Sequence, residues 1–181
     1  MQIPIPVLES ERLRLRGHGP EDFDDCAALW GDPQITQHIG GRPLTREEVW
    51  SRLLRNAGIW LWFGYGYWVV EEKDTQQFVG EVGYANLQRE IQPPLDDLPE
   101  LGWVLAKPFH GKGYATEAVR AAISWGDQRL GYGQSTCMID PENAPSIRVA
   151  QKCDFRESHR ADYNGEPIIV FTRKTLDHPR G

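Results

Sequence analysis

Leu13 and Leu15 alternate with Arg12, Arg14 and Arg16, a period of two that predicts a half-buried strand ending at Gly17-His18-Gly19-Pro20. From Pro20 the period changes. Phe23, Cys26, Ala27 and Trp30 fall at i, i+3, i+4 and i+7, one face of a short helix that stops near Asp32-Pro33. Thr45-Arg46-Glu47-Glu48 reads as a capping box, with Leu44 and Val49 placed as a hydrophobic staple. Val49, Trp50, Leu53, Leu54 and Ala57 form the predicted buried stripe of the helix it opens. Tyr67 to Glu72 and Phe78 to Tyr84 predict paired strands about the polar turn Lys73-Asp74-Thr75-Gln76-Gln77. A proline-bearing acidic loop, Gln92 to Pro99, leads into the strand Leu101-Gly102-Trp103-Val104-Leu105.

After Lys107-Pro108 the chain reads HGKGYATEA, and Ala115, Ala118, Val119, Ala122 and Ile123 resume helical spacing. Gln134 to Ile139 predicts another strand, and Ala144 to Lys152 a short helix begun by Asn143. Phe155 to Tyr163 with Ile168 to Lys174 predict a closing hairpin. No repeat, low-complexity run or linker divides these elements. With 40% apolar and 10% aromatic residues, the expectation is one α+β domain over residues 1–181.

Charge narrows the function. A net charge of −6 without a Lys/Arg cluster gives nothing to follow a phosphate backbone, so nucleic acid is not an expected partner. The amino terminus lacks a signal-peptide pattern, and the most apolar stretch, Ile59 to Val70, is broken by Gly64 and Gly66. A cytoplasmic protein with no membrane span is expected. Cys26, Cys137 and Cys153 lack CxxC spacing and fit reduced core thiols, and the five histidines are scattered singly, so no metal site is expected.

Chemistry gathers at Gly111-Lys112-Gly113, where a strand gives way to a helix. Glycines allow close backbone approach there, and free N–H groups with the helix dipole favour an anion such as phosphate. A plain tight turn without a ligand also fits. A Walker A loop needs a longer spacing ending in Gly-Lys-Ser/Thr, and the dinucleotide fingerprint needs a third glycine and a downstream acid.

The turn, taken with the downstream segment NAPSIRVAQKCDF, resembles the GNAT acetyltransferase superfamily, most closely its ribosomal-protein N-acetyltransferase branch, over nearly the whole chain. Gly113 and Ala115 satisfy the superfamily's pyrophosphate motif, (Gln/Arg)-x-x-Gly-x-(Gly/Ala), while His110 stands in its first position. NAPSIRVAQKCDF is similar to the branch's NxxSxRvaxKxGF segment, with Asp154 replacing a glycine in a turn that then needs left-handed tolerance. The resemblance implies a mixed sheet of about six to seven strands, splayed in the middle and flanked by about four helices. It implies acetyl-CoA as cosubstrate, no metal, and an amine acceptor: a peptide N-terminus, slightly favoured by the branch, or a polyamine, amino sugar or antibiotic.

By the same resemblance, acetyl-CoA lies along Trp103, Val104 and Leu105. Its phosphates meet His110, Gly111, Lys112, Gly113, Tyr114, Ala115 and Thr116, and its pantetheine arm passes Asn143 and Ser146. The superfamily's usual tyrosine acid falls at Ala150, so Ser146 is the candidate partner of the departing thiolate. An ammonium has no lone pair with which to attack, so a base or a water chain must take a proton; Glu100 is the candidate and Glu81 the reserve. A splayed-strand N–H is the expected oxyanion donor. Plain roles stand beside these: a solvated strand-end carboxylate for Glu100, a backbone-bonded hydroxyl for Ser146 and a helix N-cap for Asn143.

The aromatic run Trp60 to Trp68 suits core packing, an acceptor wall or a homodimer contact, and Asp96 and Asp97 can draw a cationic acceptor. A non-catalytic acyl-CoA sensor is the alternative from another class, and a different nucleotide-binding domain a third reading.

Overall fold

The structure is a computed structural model and describes residues 4–95 and 97–175. In chain order its strands are β1 (Leu8–Glu9), β2 (Leu13–Arg16), β3 (Tyr67–Glu72), β4 (Phe78–Ala85), β5 (Glu100–Leu105), β6 (Gln134–Ile139), β7 (Arg156–Tyr163) and β8 (Glu166–Lys174). Its helices are α1 (Phe23–Gly31), α2 (Pro33–Thr36), α3 (Arg46–Phe63), α4 (Tyr114–Arg129) and α5 (Ala144–Lys152). The strands form one sheet in the order β1-β2-β3-β4-β5-β6-β8-β7. Neighbours are antiparallel except β5 and β6, which run parallel and share a single register pair, Glu100 opposite Thr136. The expected α+β architecture and central splay are both present.

The sequence pattern overlooked two short elements, the two-residue β1 and the single turn α2. Neither is long enough to show a period. Asp32, read only as a stop, accepts from Gln34 N–H and caps α2 at its start.

Helix α3 needs two corrections. Its capping box forms as expected, Thr45 and Glu48 bonding each other's backbone N–H groups. However, the helix runs on to Phe63 and ends at Gly64, whose φ of 70° is a left-handed cap. Its buried face is Val49, Leu53, Asn56, Ile59 and Trp60, whereas Trp50, Leu54 and Ala57 of the expected stripe lie exposed. The stripe winds past Ala57 onto Trp60, whose ring meets Trp68 and Trp125 edge to face at 4.9 and 5.8 Å. Trp60 Nε1–H donates to Tyr67 O at 2.9 Å, so the indole is buried without an orphaned donor. Trp60, Tyr65, Tyr67 and Trp68 of the aromatic run are therefore core, while Leu61, Trp62 and Phe63 remain outside.

The core lies between the sheet and helices α3 and α4, with Val119 and Ala122 fully buried on α4. Gly126 lets α4 approach β4, since a Cβ there would sit 2.6 Å from the Tyr84 hydroxyl. Past α5, Asp154 adopts a φ of 66°, the left-handed turn its place before Phe155 demanded.

Candidate active site

Strand β5 runs out at Leu105, and a single 3-10 turn over Lys107–Phe109 delivers the chain to Gly111 and Gly113, with φ of 75° and 80°. Both values are left-handed, a conformation that favours glycine. Helix α4 follows at once, and its first intrahelical bond runs from Glu117 N–H to Gly113 C=O. The N–H groups ahead of it are the orphaned donors of a helix start, aimed with the positive end of the dipole. The turn is braced from outside. Arg12 donates to Lys112 O at 3.0 Å and to Glu117 at 2.8 Å, while Ser10 Oγ–H donates to Glu117 at 2.7 Å. The Arg12 guanidinium also lies 4.5 Å over the Tyr114 ring, whose hydroxyl bonds Glu72.

His110, the departure from the motif, bonds Leu105 O through Nε2 at 2.7 Å and pins the turn to the end of β5. Because a carbonyl only accepts, that nitrogen carries the proton.

Where β5 and β6 diverge, a cavity of about 510 Å3 opens over the glycine turn. It brings together Trp103, Val104, Leu105, His110, Gly111, Gly113, Tyr114, Ala115, Thr116, Asn143 and Ser146. Lys112 is the one expected cofactor residue that does not line it; its Nζ lies 5.2 Å over the Phe109 ring. Sequence reasoning missed Gln34, Ile35, Gln37, His38 and Ile39, and the cations Arg148 and Lys152, which also line it. The i, i+4 spacing of those cations on α5 was the available signal. Asn143 Oδ1 accepts from Ser146 N–H at 3.2 Å as an N-cap, which leaves its amide NH2 to other partners. The Ser146 hydroxyl makes no hydrogen bond among the described residues.

A second cavity, of about 150 Å3, adjoins the first across the splay and shares His38, Ile39, Trp103, Val104, Asn143 and Ser146 with it. His38 Nδ1 and Asp140 meet at 2.7 Å between them. Glu100 lines this second cavity with both oxygens on Arg89, at 2.6 and 2.8 Å. Glu81 lines neither. It is 1% exposed, bonded to His18 and to Trp30 Nε1 at 2.5 Å each. Burial alone would push the Glu81 carboxyl up, but the bond and charge of His18, with Arg52 and Trp30, hold it below its ordinary value.

Cys26 joins His18 and Glu81, their ligand-type atoms within 4.8 Å, a cluster that their wide separation in sequence hides. Burial pushes the Cys26 thiol well up, which disfavours the thiolate a metal would need. Of the acidic loop, Asp96 lies outside the described residues. Asp97 accepts from Gln88 at 2.9 Å and lines neither cavity, so the expected pull on a cationic acceptor has no support there. No described helix is long and apolar enough to cross a membrane.

Residues 12–156 match the family model described as an acetyltransferase (GNAT) domain. The chain belongs to the GNAT acetyltransferase family. It is 33% identical to the uncharacterized protein YkkB of Bacillus subtilis, over 94% of this chain and 96% of that one. An acetyltransferase structure from Agrobacterium tumefaciens superposes with a TM-score of 0.80 at 26% identity, covering 95% and 96% of the two chains. A ribosomal-protein-S5-alanine acetyltransferase of Vibrio fischeri shares the fold at a TM-score of 0.72 and 22% identity, over 95% and 98%. The expected GNAT fold thus stands, and the chain is an acetyltransferase. Acetyl-CoA is the family's acyl donor, and the open glycine cradle fits its pyrophosphate: an added Cβ at Gly111 would meet nothing within 4 Å.

Proposed function

We propose that this GNAT enzyme moves the acetyl group of acetyl-CoA directly to a primary amine, without an acyl-enzyme. One observation carries the reading: the large cavity over the glycine turn and the small cavity beyond the splay share Trp103, Val104, Asn143 and Ser146. A donor threaded through the first and an amine held in the second meet at that shared wall.

The glycine turn holds the pyrophosphate, Arg148 and Lys152 adding charge in the same cavity, and β5 holds the pantetheine arm. Acetyl-CoA supplies an activated thioester carbonyl. Beyond Glu100 the β6-facing edge of β5 has no ladder partner, so its N–H groups are preset to bind charge developing on the carbonyl oxygen. Glu100 is the proton acceptor. Arg89 occupies one lone pair on each oxygen, and a carboxylate has roughly four such sites, leaving room for the ammonium or a bridging water. The Ser146 hydroxyl supports the departing thiolate, and the Asn143 amide steadies the arm.

The test is thiol release from acetyl-CoA with N-terminal peptides, amino acids, polyamines, amino sugars and aminoglycosides, each active mixture resolved by mass spectrometry. One acetylated amine is expected, with kcat lowered about tenfold or more in Ser146→Ala and acetyl-CoA affinity little changed. Saturable acetyl-CoA binding with no thiol release from any amine would overturn the reading in favour of a sensor.

A further inference from the structure

Resting on that transfer reading, we propose that the second cavity selects amines that also carry an anionic oxyacid group, bound by Arg52, Arg55 and the amide of Asn56. Asn56 is the first reason. It is 1% exposed, lines the cavity, and neither its Oδ1 nor its Nδ2 has a partner among the described residues. A buried amide with nothing to bond is costly, and such groups are ordinarily satisfied, here by a ligand.

The charge layout is the second reason. Arg52, Arg55 and Arg89 line the cavity against two carboxylates, Glu100 and Asp140. Both carboxylates are engaged, Glu100 by Arg89 and Asp140 by His38. Arg52 is held 3.8 Å over the Trp30 ring, and its buried Nε lies 3.9 Å from Glu81, too far for a hydrogen bond. Arg55 has no carboxylate within ion-pair distance among the described residues. Although Arg55 is exposed as a residue, the protein around its guanidinium, then the like charges of Arg52 and Arg89, push its pKa below the ordinary value. An anion relieves that crowding.

The two ends of the cavity therefore differ in sign. The amine faces Glu100 and Ser146 at the splay, and the acid lies between Arg52 and Arg55 with Asn56 Nδ2–H donating to it. A cavity of about 150 Å3 suits an acceptor of amino-acid size. A polyamine would place its second cation against two guanidiniums, which repel it. Carboxylate and phosphate satisfy the same donors, since a guanidinium fork fits either.

The experiment uses the full chain saturated with CoA, so that the glycine cradle is filled, and titrates malonate and inorganic phosphate against tryptophan fluorescence. Saturable binding is expected for at least one anion, and the stronger of the two names the acid. Arg55→Gln should weaken it about tenfold or more, Arg55→Lys should keep part of it, and Asn56→Leu should weaken it without lowering the thermal midpoint. Equal binding in the parent and Arg55→Gln, or no saturable binding of either anion, overturns the proposal.

A second arm compares thiol release from α-amino acids with their carboxamides, and from phosphoethanolamine with ethanolamine. The acidic member should show at least about tenfold higher kcat/KM, an advantage erased in Arg55→Gln. Equal values overturn the acid selectivity and leave acetyl transfer standing. Arg55-dependent anion binding with no turnover of any amine retains the anion site and overturns the transfer reading.

Discussion

The two sides of the splay are built from different materials. On the side proposed for the cofactor, one short stretch supplies the turn: Gly111 and Gly113 in left-handed conformation, then the orphaned N–H groups of α4. On the side proposed for the acceptor, side chains from α1, α3, the β4–β5 loop, β5 and β6 converge, and their charges are balanced by pairs such as Arg89–Glu100 and His38–Asp140, with the buried Glu81, paired to His18, 3.9 Å from Arg52. A site made of backbone depends on conformation and little on pH. A site made of paired side chains depends on both.

The largest test of that contrast is acid. Because the Glu81 carboxyl is held below its ordinary value of 4.5, the stability it contributes is fully present above that value and is lost as pH falls through the depressed folded value. The thermal midpoint should therefore drop below about pH 4.5, and Glu81→Gln should flatten that limb while costing about 3–5 kcal/mol at neutral pH. Calorimetry from pH 7 to pH 3 measures both; an unchanged acid limb in Glu81→Gln would remove Glu81 as the group responsible.

Next in size is the cradle itself. Gly113→Val forces a branched side chain into φ 80° and narrows the space facing the phosphates, so acetyl-CoA affinity should fall more than about a hundredfold, ~3 kcal/mol. Calorimetric titration with circular dichroism as the folding control reads this, and unaltered affinity would move the phosphates elsewhere. Glu100→Gln comes third on the opposite side of the splay. It should lower kcat/KM by up to about a hundredfold, with acetyl-CoA affinity unchanged. An unchanged kcat/KM would assign the proton to water.

The same division governs what could be read from the chain. Glycines at a strand-to-helix turn, Asn143 before α5 and the Thr45–Glu48 box are local, because each residue's role is set by neighbours a few positions away. Asp154 was legible for the same reason. Arg52, Arg55 and Asn56 carried no such signal. They sit on a helix whose buried face was read as ending at Ala57, and they become a site only when α3 packs near β5. Glu100 was singled out by its place at the head of β5, but its fork to Arg89 spans a loop whose path no periodicity describes. The exposure of Trp50 and Leu54 was hidden by the breadth of an apolar stripe that includes more residues than the sheet can cover.

The smallest predicted effect puts the contrast at most risk. Arg12, just ahead of β2, ties the glycine turn to the sheet through Lys112 O and Glu117, and it does so with its side chain 43% exposed. An ion pair so open to solvent contributes little. If the cradle is held by backbone geometry, Arg12→Ala should weaken acetyl-CoA binding only a few-fold, and much of the difference should vanish in high salt, where exposed charges are screened. A loss of a hundredfold or more in the same titration would mean that the phosphate site, like the acceptor site, hangs on side-chain pairing. The left-handed glycines would then permit the turn without being enough to hold it.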